Sequence, residues 1–517
     1  MLGRLSNTVE TIGFNGMVLD VAGHSLVNAA GHDVKLTHGE FALLVALTRY
    51  PDRVLSREQL LDAVSGRSAD AFDRSIDNLV ARLRRKIERE IKRPRVIVTV
   101  RGAGYKFCSQ RDLRETPCPT AASARHGILV LPVADLGDGR NLHNFTAAVS
   151  SALRTELNAV VGTHVCYHDE RARAHEVARQ LGAGYVVRGS VRQNDDKVRV
   201  DVQMTDTETG DPVWVDRFEG GLPDSLSFAR EITMRIARAI ELEFVDIEAR
   251  RSLARAGVLE GGDLLKLGFA FLYRPRSPQN LAKARGYFER VLDRDRRSAD
   301  ALAGLAQTHI SDTLCRWSLD PAGQVRLAEA QAKRAIEISP KLGYAHHVKG
   351  LVLRVQQQHG RALAAFDKAI QLKPSLAPAH AELGFTRGAL DRGASRFARV
   401  HEGLALARRI SPREPVLANW LYGVGVGHLK CGDVTEAIGW LNEAIDINPL
   451  APALAYLASA YALQGDNLRA HRLLGEFARK QPRETLTTLG RRVLADHQIL
   501  PGSRVFEGLR KAGLREV

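Results

Sequence analysis

The chain has 517 residues, 44% hydrophobic and 6% aromatic, with 74 Lys and Arg against 59 Asp and Glu, a formal charge of +15 and a pI near 9.8. That length accommodates about three domains, and the charge asks for an anionic partner, nucleic acid ahead of an acidic membrane surface. No apolar run reaches the ~18–20 residues of a membrane span, the start MLGRLSNTVETIGF has no secretion-signal core, and five cysteines (Cys108, Cys118, Cys166, Cys315, Cys431) without a C-x-x-C spacing argue against a disulfide scaffold or zinc ribbon; a cytoplasmic protein with no membrane partner is the expectation.

In chain order, Phe14–Val21, His24–Asn28 and Asp33–Lys35 alternate with turn residues, which predicts a small antiparallel sheet. Thr37 followed by Glu40 makes a capping box ahead of FALLVALTRY, and Pro51-Asp52 closes that helix. Ser56 and Gln59 repeat the signal before EQLLDAV, and the loop SGRSAD follows.

The next stretch, Ala71–Phe107, reads as a basic helix, a turn and a β-hairpin. From Arg74 to Arg101 it holds ten Lys and Arg against three acids. Ile76, Leu79, Val80, Leu83 and Ile87 recur at helical spacing, so one stripe is expected to be buried. Ser75, Asn78, Arg82 and Arg85 fall on the other side. A helix with one packed stripe and one polar, basic face suits a DNA major groove, and Arg101 at a glycine-flanked hairpin tip suits an adjacent narrow minor groove. On charge alone, a solvated basic helix explains the stretch as well.

Sheet, three helices and hairpin make a winged helix-turn-helix. LTHGEFALLVALTRYPDRVLSREQLLDAV, then RSIDNLVARLRRKIE, then VIVTVRGAGYKF, resembles the DNA-binding domain of the OmpR/PhoB/ToxR-type regulators over residues 14–107, and the domain is placed at 8–110. The resemblance makes Arg74–Glu88 the recognition helix in the major groove and 99–105 the wing. It assigns double-stranded DNA contacts to Arg74, Ser75, Asn78, Arg82 and Arg84 in the helix, and to Thr99 and Arg101 in the wing. Arginine–guanine pairing singles out Arg82 as the base reader, with Arg84 and Arg85 on phosphate. The sequence departs from the family pattern at Leu79, where a histidine is usual, at Ala81, often basic, and at Ser65, commonly tryptophan; Gly66–Phe72 is the expected contact to RNA polymerase. Too few residues precede the module for a receiver domain. An N-terminal module without a membrane span resembles the HilA-like arrangement and not that of ToxR or CadC.

Residues 111–125, with two prolines and small residues, read as a linker. Residues 126–248 alternate strands (Gly127–Ala134, Ala183–Arg192, Lys197–Thr205, Pro212–Phe218) with helices (Leu142–Val161, Asp169–Leu181, Leu226–Phe244), an α/β domain with a mixed sheet. ILVLPVADL with VARQLGAGYVVRGSVRQNDDKVRVDVQMTDTETGDPVWVDRFEG resembles the TolB amino-terminal-like domain. His164, Cys166 and His168 alternate along one expected strand, too few ligands for a metal site, and Gly182-Ala183-Gly184 reads as a helix-to-strand turn and not a phosphate cradle.

Over residues 262–482, Pro340, Pro374, Pro412, Pro449 and Pro482 recur 34, 38, 37 and 33 apart, with Ala335, Ala369, Ala407 and Ala444 five residues before the first four. Gly350, Gly384 and Ser459 stand ten residues after their prolines. This period resembles a tetratricopeptide solenoid of five or six units, with about ten inserted residues around Asp312–Pro321 and a capping helix and tail at 483–517. Arg334, Lys349, Arg354, Lys368 and Lys373 form either an acidic partner's docking face or a solvated one.

The expected fold is therefore multidomain: α+β winged helix, α/β mixed-sheet domain, all-α solenoid. The expected function is a DNA-binding transcription regulator, by family analogy an activator. Its C-terminal region would sense a signal or dock a protein or peptide in the repeat groove, and a homodimer is possible. No catalytic, cofactor or metal site is assigned. The alternatives are a repeat scaffold whose N-terminal module is vestigial and, remoter, a signalling enzyme, because TolB-like and repeat regions accompany cyclase domains.

Overall fold

The computed structural model describes residues 11–14, 17–20, 25–28, 32–49, 54–64, 76–88, 94, 96–100, 104–107, 127–136, 142–157, 165–167, 174–194, 197–221, 225–254, 259–315, 317–391, 395–482, 484–489 and 503–516. The chain divides into two compact units, Met1–Pro119 and Thr120–Val517.

In the first unit, β1 (Thr11–Phe14), β2 (Met17–Asp20) and β3 (Ser25–Val27) form an antiparallel meander. The sequence expectation joined β1's last residue to β2. The missed signal is Asn15-Gly16, a hairpin-turn dipeptide that lies outside the described residues. Helix α1 (His38–Arg49) opens on the expected capping box: the Thr37 N–H donates to Glu40 Oε2 at 2.9 Å and the Glu40 N–H to Thr37 Oγ1 at 3.4 Å. Helix α2 (Arg57–Val64) repeats it, Ser56 N–H to Gln59 Oε1 at 2.9 Å and Gln59 N–H to Ser56 Oγ at 3.2 Å. Helix α3 (Ile76–Ile87) buries the five predicted residues. A hairpin follows, β5 (Ile97–Val100) with β6 (Gly104–Phe107). A short strand not foreseen, β4 (Val54–Leu55), pairs with β6 to give the order β4-β6-β5. Leu44, Leu47, Leu60, Leu83 and Ile97 are fully buried in one core, each stabilising the domain by roughly 1.5–3 kcal/mol.

Gly104 shows why the hairpin needs its second glycine. Its φ is +137°, and a Cβ there would stand 2.1 Å from the Leu55 carbonyl oxygen. Gly104→Ala is expected to cost about 2–3 kcal/mol, read as a lowered thermal midpoint of the first unit.

In the second unit, β7 (Gly127–Val130) is buried at every residue. It lies parallel to both β9 (Val165–Tyr167) and β10 (Ala183–Asn194). The sheet continues antiparallel through β11 (Lys197–Asp206) and β12 (Pro212–Gly221), in the order β12-β11-β10-β7-β9, with β8 (Ala134–Asp135) also on β10. One face carries α4 (His143–Leu157) and α6 (Ser225–Ala254), the other α5 (Ala174–Gln180). Burial on both faces accounts for the continuous apolar run of β7. Gly182, at φ +68°, makes the turn from α5 into β10.

Among the described residues six helix pairs follow: α7 (Gly261–Leu272) with α8 (Pro278–Arg294), α9 (Ala299–Leu314) with α10 (Pro321–Ile338), α11 (Gly343–Val355) with α12 (His359–Leu372), α13 (Ala377–Leu390) with α14 (Ser395–Ile410), α15 (Leu417–Cys431) with α16 (Val434–Ile447), and α17 (Ala451–Gln464) with α18 (Asn467–Lys480). The repeated alanines are fully buried. A Cβ on Gly350 would meet the Phe366 ring at 2.4 Å, and one on Gly384 would meet Gly403 Cα at 3.0 Å, so these small residues set the approach of each pair. The extra residues near 312–321 lengthen α9, α10 and their connection. A last helix, α19 (Arg504–Lys511), packs on α17, where Ser459 Oγ donates to the Val505 carbonyl at 2.8 Å.

The α/β region and the helix pairs, expected as separate domains meeting between 248 and 262, share one core running from Ile128 to Leu383. Helix α6 runs on to Ala254 and carries a buried ionic network into the array. Arg238 donates from Nε and Nη2 to Glu414 at 3.0 and 2.6 Å and from Nη1 to Glu241 at 2.8 Å, and Lys373 Nζ lies 2.6 Å from Glu241. Lys373, expected on a surface, is therefore inside. No helix among the described residues is long and apolar enough to cross a membrane.

Candidate nucleic-acid interface

Helix α3 is tied down on three sides, which fixes the direction of its remaining face. Its core stripe is Ile76, Leu79, Val80, Leu83 and Ile87. At its N-terminal end Asp77 accepts from Arg57 Nε at 2.8 Å and from the Tyr105 hydroxyl at 2.7 Å, joining α2, α3 and the hairpin. These two donors, the tyrosine first, hold the Asp77 carboxyl below its usual range. At the other end Lys86 Nζ reaches the Lys35 carbonyl at 2.8 Å and Glu40 Oε2 at 2.6 Å. Burial pushes the Glu40 carboxyl up, but Lys86 and Thr37 outweigh it and leave the group below its ordinary value. Glu88 Oε1 accepts from the N–H groups of Val96 and Ile97 at 2.8 and 2.9 Å, which sets where the hairpin leaves the helix.

Besides Asp77, already engaged by Arg57 and Tyr105, α3 leaves exposed Asn78, Ala81, Arg82 and Arg85, a stripe at i, i+3, i+4 and i+7. By the same period Arg74 and Ser75 would extend it; both lie outside the described residues, as do Arg101 at the hairpin tip and the Gly66–Phe72 loop. Thr99 is exposed on β5.

Arg84 is placed differently from its expected phosphate role. It is half-buried, donating from Nε and Nη2 to the Ile97 carbonyl at 2.9 and 2.5 Å and from Nη2 to Thr99 Oγ1 at 2.9 Å, with its guanidinium 5.7 Å from the centre of the Tyr105 ring. Those bonds spend the side chain on holding β5 against α3. Arg84→Ala is expected to lower the first unit's stability by about 1–2 kcal/mol and to weaken binding to every duplex about equally, checked by thermal denaturation and by titration of two unrelated DNAs.

Sequence reasoning missed the Arg57–Asp77–Tyr105 junction and the Lys86–Glu40 pair, because both join residues far apart in the chain. The tyrosine of the RGAGY phrase was the available signal. Leu79, where the family resemblance expects a histidine, is 6% exposed and packs on Gly39, so that departure lies in the core and not on the exposed stripe.

In the second unit, Cys166 is half-buried on β9, while His164 and His168 lie outside the described residues. Of the basic residues expected on one face, Arg354 pairs with Glu382 at 3.0 Å and Arg334 donates to the Arg296 carbonyl at 3.0 Å, whereas Lys349 and Lys368 are exposed.

Residues 31–107 match the family described as transcriptional regulatory protein, C terminal. The regulatory protein VirG of Agrobacterium fabrum is 47% identical over 104 residues, 20% of this chain and 41% of that protein. A provisionally named adenylate cyclase 3 of Rhizobium meliloti is 27% identical over 243 residues, 46% of this chain and 41% of that protein. The RstA DNA-binding domain of Klebsiella pneumoniae, solved in complex with the RstA box, is 31% identical with a TM-score of 0.17, covering 19% of this chain and 98% of that one. The chain spans less than half the length of these curated relatives. Residues 31–107 are a winged-helix DNA-binding domain of the OmpR/PhoB type.

Proposed function

We propose that the chain is a sequence-specific transcriptional regulator, an activator, that lays α3 in the major groove and the β5–β6 hairpin at the neighbouring minor groove. The observation that carries this reading is the exposed Asn78–Arg82–Arg85 stripe on a helix whose other contacts lock its orientation. Arg82 reads a base, Asn78 assists it, and Arg85, with Arg74, Ser75 and Arg101, holds the backbone. Thr99 contributes through Arg84. RNA polymerase is the proposed partner of the Gly66–Phe72 loop. Residues 120–517 serve as a control region, docking a protein partner or a second copy on the helix array, part of which already carries α6 of the same chain.

The test against a scaffold with a vestigial module is the salt dependence of DNA binding. Three charged phosphate contacts, from Arg74, Arg85 and Arg101, predict that log K falls against log salt with a slope of roughly −3, measured by fluorescence anisotropy on duplex DNA from 50 to 200 mM salt. A slope near zero would favour the scaffold.

A further inference from the structure

The winged helix does not account for all of the chain's charge. Residues 120–517 hold 55 Lys and Arg against 45 Asp and Glu, ten of the fifteen excess positive charges. Part of that excess collects on one face of the sheet. Val186 is buried with Ala174 and Ala178 of α5. Alternation along β10 puts Arg188, Ser190 and Arg192 on the same side as Val186, past the residues that α5 buries. The antiparallel register sets Gln203, Asp201 and Arg199 of β11 opposite them, and Val215, Arg217 and Glu219 of β12 opposite those in turn. Lys197 continues the β11 row. Arg188, Arg192, Lys197, Val215, Arg217 and Glu219 are exposed, so no helix among the described residues covers this part of the sheet.

The face presents five cations, Arg188, Arg192, Lys197, Arg199 and Arg217, against two acids, Asp201 and Glu219. Two features distinguish it from an ordinary solvated sheet. Arg192 stands directly opposite Arg199, a like-charge cross-strand pair that costs stability unless an anion lies over it. Asp201 is shared, accepting from Arg199 Nε at 3.1 Å and from Arg217 Nε at 3.0 Å. Burial pushes its carboxyl up, but the two arginines outweigh that and hold it below its usual range. Arg188, Arg192 and Lys197 form no ion pair among the described residues.

The chemistry of the face selects its partner. It is polar and arginine-rich, with Val215 as its exposed apolar side chain, whereas a protein interface is built around an apolar centre. Arginine forks with serine and glutamine side chains beside them are the usual holders of phosphate oxygens. Neighbouring strands lie about 4.8 Å apart and alternate residues about 6.7 Å apart, so Arg188 and Arg192 are separated by roughly 13 Å along β10, more than a single phosphate group fills.

We propose that the open face of β10, β11 and β12 binds the phosphate backbone of duplex DNA without reading bases. The contact is made by the second unit and stands or falls separately from the reading of α3.

The test uses the full chain and a random duplex of about 40 base pairs, followed by fluorescence anisotropy from 50 to 200 mM salt. The sheet face is expected to steepen the slope beyond the roughly −3 of the first unit, by about 0.9 for each added phosphate contact. Changing Arg188, Arg192 and Arg217 together to alanine should remove that excess slope and weaken binding at least tenfold at 50 mM salt. The second unit's thermal midpoint should stay in place, because all three side chains are exposed. Asp201→Asn should act in the opposite direction and tighten binding, a gain that a damaged fold does not give. Arg82→Ala with Arg85→Ala tests the winged helix separately: that chain should keep duplex binding, which the triple change then abolishes. Unaltered affinity and slope in the triple variant would overturn the proposal. So would a triple variant that keeps DNA binding and loses binding to polyglutamate or to phosphatidylserine vesicles, which would make the face a protein or membrane surface.

Discussion

Arg238→Ala is expected to destabilise residues 120–517 by about 3–5 kcal/mol. The guanidinium is 1% exposed and bridges α6 to the connection between α14 and α15 through a two-bond contact with Glu414. Its removal leaves Glu241 and Glu414 buried with Lys373 as the one remaining cation of the network, and an unpaired buried carboxylate loses its hydration without a replacement. Urea unfolding followed at the second unit's transition reads the loss, while the first unit should melt where it did before. Arg238→Ala with Glu414→Ala should cost less than the two single changes added, because the second removes the charge the first strands. The acid response has a definite sign. Burial pushes the Glu241 carboxyl up, but Lys373 and Arg238 overcome it and hold it below its ordinary value. Its contribution is thus complete above the ordinary carboxylate range and is lost only as pH falls below it. A loss already complete at pH 6 would contradict this assignment.

Arg82→Ala is expected to reduce affinity for the preferred site by about 1–3 kcal/mol, roughly 5- to 150-fold, and to relax selectivity at one base pair. The residue is exposed on the stripe of α3 that the core does not use. Arg85→Ala, on the same stripe, should weaken preferred and random duplexes about equally, as loss of a phosphate contact does. Competition titrations with both DNAs separate the two. Equal losses for Arg82→Ala on both would remove Arg82 from base reading.

Much of the first unit was legible because its signals are local. The capping boxes at Thr37 and Ser56 and the core stripe of α3 are set within a few residues, and each has the expected geometry. The fate of Arg84 was not legible, since its partners Ile97 and Thr99 are thirteen and fifteen residues away and a basic helix gives no sign of which arginine turns inward. The repeat period located the helix pairs through Ala335, Ala369, Ala407 and Ala444, whose burial lets neighbouring helices pack closely. The same period hid the role of Lys373, which meets Glu241 across 132 residues of chain, and with it the fact that α6 binds the α/β region and the array into one unit.

The measurement that bears most directly on the account is selection of bound sequences from random duplex DNA by the full chain and by its Arg82→Ala variant. The account predicts enrichment of one motif by the unaltered chain and its loss or blurring at one position in the variant. No enrichment at low salt, or the same motif from both proteins, would contradict it.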